Sequence, residues 1–196
     1  MTPDTIHILG NGPSLSLFNP SHWLSEEHLI IGCNFSNPEL NPKYTVIMDA
    51  KPMMKLYQGY KLTIPAVISD RCTKYVEKDK GGWRKLPTDT ITVIDTIPMI
   101  HEKGRKFPMN SGHHATLYGI KQNIQTVKTV HLWGLDSFWT GDISSSSDVH
   151  FRGGIRPRLR EPVAREWRVY WDEIFDMYPD IEFIIQKGEL NSEKPS

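Results

Sequence analysis

Three features of this 196-residue chain predict an α/β fold, a three-layer Rossmann-like sandwich around a mainly parallel sheet. Its apolar runs are short, rich in Ile and Val, and nearly continuous, which is what strands covered on both faces require. Between the runs lie stretches with helical spacing, and strands alternating with helices imply parallel pairing through right-handed crossovers. No repeat or linker breaks the alternation, so residues 1–187 are expected as one domain and 188–196 as a polar tail.

Each element has its own justification. Strands are predicted at Ile6–Leu9, Leu29–Ile31, Tyr44–Met48, Ala66–Ile68, Ile91–Ile94, Val127–Trp133 and Ile181–Ile185. Helices are predicted at Pro20–Glu27, Pro52–Tyr57, Arg71–Glu77, Gly112–Gln122 and Pro162–Tyr178. The last has the clearest pattern, because Val163, Trp167, Tyr170, Trp171 and Ile174 form one apolar face. Pro162 suits a first turn, Glu161 places negative charge at the positive end of the dipole, and Pro179 stops the helix.

Composition sets the outer limits. Six Trp, seven Tyr and seven Phe are too many to leave in water, so the chain must fold. Twenty-three basic residues against 23 acidic ones argue against a general nucleic-acid coat, which shows a basic excess. No run reaches the roughly 18 apolar residues that span a bilayer, and the N-terminus lacks the pattern of a signal peptide. Cys33 and Cys72 have neither disulfide-scaffold number nor metal-ligand spacing. A cytoplasmic location is therefore expected, with room for peripheral attachment at the inner membrane.

The alternation breaks between Trp139 and Arg160. Four consecutive serines, Ser144–Ser147, lead into a block from Arg152 to Arg168 that holds six of the nine arginines. A long polar loop inside a compact α/β domain reads as a flexible lid or binding loop over about 139–160, or as a bland insertion.

Candidate site residues gather where strands end. In doubly wound sheets, ligands bind at the carboxyl ends of the strands. After the first strand comes Gly10-Asn11-Gly12-Pro13-Ser14-Leu15. Its glycines permit a close backbone approach, Asn11 offers an amide, and Ser14 can cap a helix or donate to phosphate. The string is neither Gly-x-Gly-x-x-Gly nor a Walker loop, and a tight turn with a Ser cap is the alternative reading. Cys33-Asn34 and Met48-Asp49 follow the next two strands, putting Asn11, Asn34 and Asp49 on one rim, although Asp49 also reads as an N-cap. Asn110-Ser111-Gly112 opens a helix with Ser111 as cap, and free N–H groups there suit an anion. Gly134-Leu135-Asp136 ends a later strand, where Asp136 can accept from ribose or base, or simply from backbone N–H groups.

The histidines are mostly read as structural. His7 and His131 lie within strands, and His113-His114 lacks a second ligand on the same helix face, so no metal site is expected. No Asp-x-Asp occurs to clamp a divalent ion on a nucleotide diphosphate. His150 differs, following the serine run and preceding the arginine block, where a solvated histidine can serve as general base.

Taken together, Gly10-Asn11-Gly12-Pro13-Ser14-Leu15, Cys33-Asn34, Asn110-Ser111-Gly112 and Gly134-Leu135-Asp136 resemble the bacterial sialyltransferase family of Campylobacter lipooligosaccharide synthesis, over roughly residues 6–150. A more distant similarity, through the Gly-x-Gly-Pro-Ser-Leu turn, is to pterin pyrophosphokinase-like proteins. The first resemblance implies a CMP-sugar donor, a glycan acceptor, and inverting transfer of a sialic-acid-like sugar without a metal or other cofactor. Residue by residue, it implies that Asn11, Ser14 and Asn34 touch nucleotide and phosphate. Ser111 and Gly112 would hold the nucleotide from the opposite side with Asp136 nearby, and His150 would take the acceptor proton. The chain also departs from that family. Phe138, Trp139 and Phe151 stand where lid tyrosines are expected, leaving Arg152, Arg156 or Arg158 to meet the leaving phosphate. Pro108-Met109 replace an arginine before Asn110, and Asp49 falls where a neutral Asn is expected.

Three other readings remain at this level. A pyrophosphokinase-like enzyme would need Mg²⁺ and clustered rim carboxylates, for which Asp49 and Asp136 are the candidates. A non-catalytic nucleotide-binding module needs only the rim. A nucleic-acid loop built from the arginine block has the neutral overall charge against it.

Overall fold

The computed structural model describes residues 2–57, 62–76, 92–141 and 160–187, and these form a doubly wound α/β sandwich. Seven strands make one sheet: β1 (Thr5–Leu9), β2 (His28–Cys33), β3 (Tyr44–Ile47), β4 (Ala66–Ser69), β5 (Val93–Ile97), β6 (Thr129–Trp133) and β7 (Glu182–Ile185). Their spatial order is β5-β4-β3-β2-β1-β6-β7, and every neighbouring pair is parallel. The expected sheet is thus fully parallel. Among the described residues three α-helices accompany it, α1 (Ala50–Tyr57), α2 (Ser111–Gln122) and α3 (Glu161–Met177), together with short 3-10 turns.

The strand alternation divides the core. Ile6, Ile8, Ile31, Val46 and Leu132 point to the face covered by α2 and α3, where they meet Ala115, Ile120, Trp171 and Ile174. The opposite face carries Ile47, Ile68, Met53, Leu56 and Cys72. Further along that face, Leu9, Ile30 and Trp133 pack with Phe18, beneath the 3-10 turns Pro13–Leu17 and Pro20–His22.

His7 lies on this second face and is fully buried. Trp133 Nε1 donates to its Nδ1 at 3.3 Å, its Nε2 meets His28 Nδ1 at 3.1 Å, and its ring stacks on His131 at 4.8 Å. Burial, then the charges of His131 and His28, push the His7 pKa down to about 3. Its role is structural, as its place in a strand suggests.

Three elements differ from expectation. The helix expected at Pro20–Glu27 is only the 3-10 turn Pro20–His22, because Asn19 caps Ser21 N–H and Trp23 turns onto the His7 ring at 4.5 Å. The helix expected from Arg71 is a 3-10 turn, Asp70–Tyr75, with Thr73 Oγ1 donating to the Asp70 carbonyl. The fifth strand lies further along than Ile91–Ile94, at Val93–Ile97, and its register against β4 shifts between Ala66 and Val67. It is the sheet's edge and exposes Ile94, Asp95 and Thr96, so an apolar run was a poor guide to its limits.

Candidate functional site

The chain reverses its winding direction between β1 and β6. After β1 it proceeds outward through β2 to β5, then returns through α2 to β6 on the other side of β1. Adjacent strands whose exits diverge in this way form the crevice at which doubly wound sheets bind ligands. Asn11, Asn34, Asp49 and Asp136 all lie just beyond carboxyl ends of strands, as expected from the sequence.

At the β1–β6 exits the two loops lock together. Gly10 N–H donates to the Trp133 carbonyl and Gly12 N–H to the Gly134 carbonyl, each at 2.8 Å. Ser14 N–H donates to Asp136 Oδ2 at 3.1 Å, and Gly134 N–H donates to Ser14 Oγ at 3.1 Å. The contacts leave no room for side chains. A Cβ on Gly10 would stand 2.3 Å from the Gly134 carbonyl oxygen, and one on Gly12 would stand 2.1 Å from Asp136 Oδ2. Gly134 itself has a positive φ of 63°. The close backbone approach anticipated for the glycine string is therefore an approach to the Gly134–Asp136 loop. Ser14 is buried inside the 3-10 turn, and of the two readings open for Asp136 the bond to a backbone N–H is the one observed.

The β2–β3–α2 side is built differently. Asn11 Nδ2 reaches across to the Cys33 carbonyl at 2.6 Å, tying the first loop to the end of β2. The next residue, Asn34, adopts a left-handed φ of 54°, which Asn tolerates better than most residues. Its N–H donates to the Val46 carbonyl at 2.9 Å, and its own carbonyl accepts from Thr45 Oγ1 at 2.9 Å. This pinned backbone directs Asn34 Oδ1 to Ser111 Oγ, which donates to it at 3.1 Å.

Asn110, not Ser111, caps α2. Its Oδ1 accepts from Gly112 N–H at 2.9 Å and His113 N–H at 3.2 Å, while its own N–H donates to His113 Nδ1 at 3.0 Å. Two N–H groups that the sequence offered to an anion are thus occupied by the cap. His113 Nε2 completes the arrangement at the Trp167 carbonyl of α3, 3.0 Å away. His114 accepts from Ile100 N–H at Nε2 and faces the Asn110 carbonyl through Nδ1, both at 3.0 Å. Each ring accepts from a backbone N–H at one nitrogen and is placed to donate at the other, an arrangement suited to neutral imidazole. Burial pushes His113 down to about 3 and lowers His114, in each case against a backbone hydrogen bond acting the other way. Both are structural residues holding the entrance of α2.

From α3 come further braces that the sequence did not reveal. Tyr170 Oη donates to the Phe107 carbonyl at 3.0 Å, Trp167 Nε1 to the Pro108 carbonyl at 3.1 Å, and Phe107 N–H to Glu166 Oε2 at 2.7 Å. Arg105 pairs with Glu173 and lies over the Tyr170 ring. The apolar face of α3 was legible, but bonds to the backbone before Asn110 depend on an approach no local pattern encodes.

Asp49 differs from its neighbours on the rim. It is exposed, and no hydrogen bond or ion pair within the described residues engages its carboxylate. Desolvation by the surrounding protein raises its pKa above the ordinary carboxylate value, against the opposing effects of Arg71, His114 and Lys51. The N-cap reading had a weakness visible in the sequence. Pro52, the third residue of α1, has no N–H to give such a cap.

His150 and Arg152, with most of the expected lid, lie outside the described residues. Among the described residues, no group of three or more His, Cys, Asp or Glu is placed to hold a metal ion. None of their helices is long and apolar enough to cross a membrane. No protein-family model, curated protein or solved structure matches the chain.

Proposed function

We propose that the chain binds a CMP-sugar at the rim formed by the exits of β1, β2 and β3 and the start of α2. It would transfer a sialic-acid-like sugar to a glycan hydroxyl by metal-independent inversion. The observation that carries this reading is the convergence of Asn11, Asn34 and Ser111, which come from three separate segments yet share one hydrogen-bonded rim. Gly10, Gly12, Ser14, Gly134 and Asp136 would shape its floor, with Asn110 and Gly112 setting the direction of α2. The resemblance to the sialyltransferase family supplies the donor class and the inverting course. In that family a lid histidine takes the acceptor proton, the role the resemblance gives to His150, and Arg152, Arg156 or Arg158 would meet the leaving phosphate in place of lid tyrosines.

The test is calorimetric titration with CMP, UMP, AMP and ATP, each with and without Mg²⁺. The expected outcome is preference for CMP without a metal requirement, and at least a tenfold loss of affinity in Asn11→Ala. Equal CMP affinity in the variant would remove Asn11 from the site, and Mg²⁺-dependent ATP binding would favour the pyrophosphokinase-like reading.

One observation favours a second reading, a nucleotide-binding module without turnover. Ser14 and Asp136 are engaged with each other's loops rather than directed outward. CMP binding with neither transfer nor hydrolysis of a CMP-sugar would support it.

A further inference from the structure

We propose that Asp49 is the group that takes the proton from the acceptor hydroxyl, an inference that rests on the transferase reading above. The other polar side chains of the rim are already engaged. Asn11 reaches the Cys33 carbonyl, Asn34 accepts from Ser111, Asn110 caps α2, and Asp136 accepts from Ser14 N–H. Asn11, Asn34 and Asp136 each brace one segment against another, and Asn110 is spent on its own helix. The Asp49 carboxylate has no such bond within the described residues, and none of them occupies the lone pairs that an incoming hydroxyl would use.

Its position suits the role. Asp49 follows β3, the strand beside β2, and so lies next along the rim from the Asn34–Ser111 pair. The groups that act on it come from three elements: Arg71 from the 3-10 turn after β4, His114 from the first turn of α2, and Lys51 from α1. Asp70 acts on His114 in turn, and the Asp49 charge reaches Cys72, whose thiol burial keeps protonated. Neither Arg71 nor Lys51 closes to an ion pair with Asp49. Arg71 instead directs Nη1 to Met99 Sδ at 3.1 Å. A rim carboxylate that has no partner among the described residues and a pKa shifted upward is a stronger base than an ordinary aspartate.

The step balances without any further reactant. The hydroxyl proton passes to the Asp49 carboxylate, and the hydroxyl oxygen bonds to the anomeric carbon of the donor. The bond from that carbon to the phosphate oxygen breaks, and its electron pair leaves with CMP. This assigns to Asp49 the role that the family resemblance gives to His150.

The experiment compares wild type, Asp49→Asn, Asp49→Glu and His150→Asn. CMP-N-acetylneuraminic acid serves as donor and lactose as acceptor, with CMP affinity measured separately by calorimetry. Asp49→Asn is expected to bind CMP within threefold of wild type, to lower kcat by about 100-fold or more, and to abolish the acid limb of the kcat–pH profile. Asp49→Glu should restore part of the rate with the limb displaced. A kcat within threefold of wild type in Asp49→Asn overturns the proposal, as does loss of the acid limb only in His150→Asn. A tenfold weaker CMP affinity in Asp49→Asn also overturns it, by assigning the carboxylate to nucleotide binding. Wild-type CMP binding without transfer overturns this proposal and favours the module, whereas absence of both overturns the transferase reading itself.

Discussion

The two halves of the rim use similar residues for opposite ends. Where β1 and β6 exit, glycines and small polar side chains lock two loops together, and Ser14 and Asp136 face each other across the seam. Where β2 and β3 exit beside α2, Asn34 and Ser111 bridge separate elements, and no bond among the described residues engages the Asp49 carboxylate. A Gly-Asn-Gly-Pro-Ser-Leu string is easily read as a cradle for phosphate. Here its glycines are required first by the neighbouring loop, and the open chemistry stands two strands away.

The largest effect is expected at the seam. Gly10→Ala drives a methyl group into the Gly134 carbonyl and the Leu135 side chain, and backbone cannot yield as a flexible side chain does. A loss of about 3 kcal/mol in urea unfolding is expected, at the upper end for overpacking. A stable variant that merely lost CMP affinity would show that Gly10 faces ligand after all.

A smaller effect should distinguish the α2 side. The folded-state pKa of His113 lies below the unfolded value, so its stabilising contribution is complete above pH 6.5 and declines as acid protonates the unfolded chain first. Between pH 6.5 and 5 this one residue should account for about 2 kcal/mol of lost stability. His113→Gln keeps an acceptor and a donor but cannot titrate, so its stability–pH slope should be shallower by that amount. Identical slopes would remove His113 from the acid response.

The smallest effect has the opposite sign. Asp49 has a raised pKa, so the folded state holds its proton more tightly than the unfolded chain and ionisation costs stability as pH rises. Asp49→Asn should therefore raise Tm slightly at pH 7.5 and leave it unchanged below pH 4. A lower Tm at pH 7.5 would mean that the carboxylate braces the fold, as Asp136 does.

Much of this architecture was legible in the sequence. The strand–helix alternation anticipated all seven strands and the parallel sheet, because continuous Ile and Val runs have few other ways to be buried. The edge strand was misplaced since Asp95 and Thr96 face solvent, and Trp23 ended a helix for a tertiary reason, its contact with His7. Asn11, Asn34, Asp49 and Asp136 do stand just past strand ends, as the runs of Ile and Val implied. Their partners were not legible, because Ser14 and Asp136 are 122 residues apart and Asn34 and Ser111 are 77 apart. The same distance concealed the braces from α3. Asn110 displaced Ser111 as cap because its longer side chain spans back to two N–H groups while Ser111 is drawn to Asn34.

The register shift between β4 and β5 has a consequence for association between molecules. An open, regular edge invites another chain to add a strand, the first step towards aggregation. At this edge the ladder is interrupted between Ala66 and Val67, and Asp95 Oδ1 accepts from the following Thr96 N–H at 2.7 Å. A break in register twists the border, and a carboxylate already occupying a backbone donor withholds it from a neighbour. The irregularity that made β5 hard to read also makes it a poor template for its own kind.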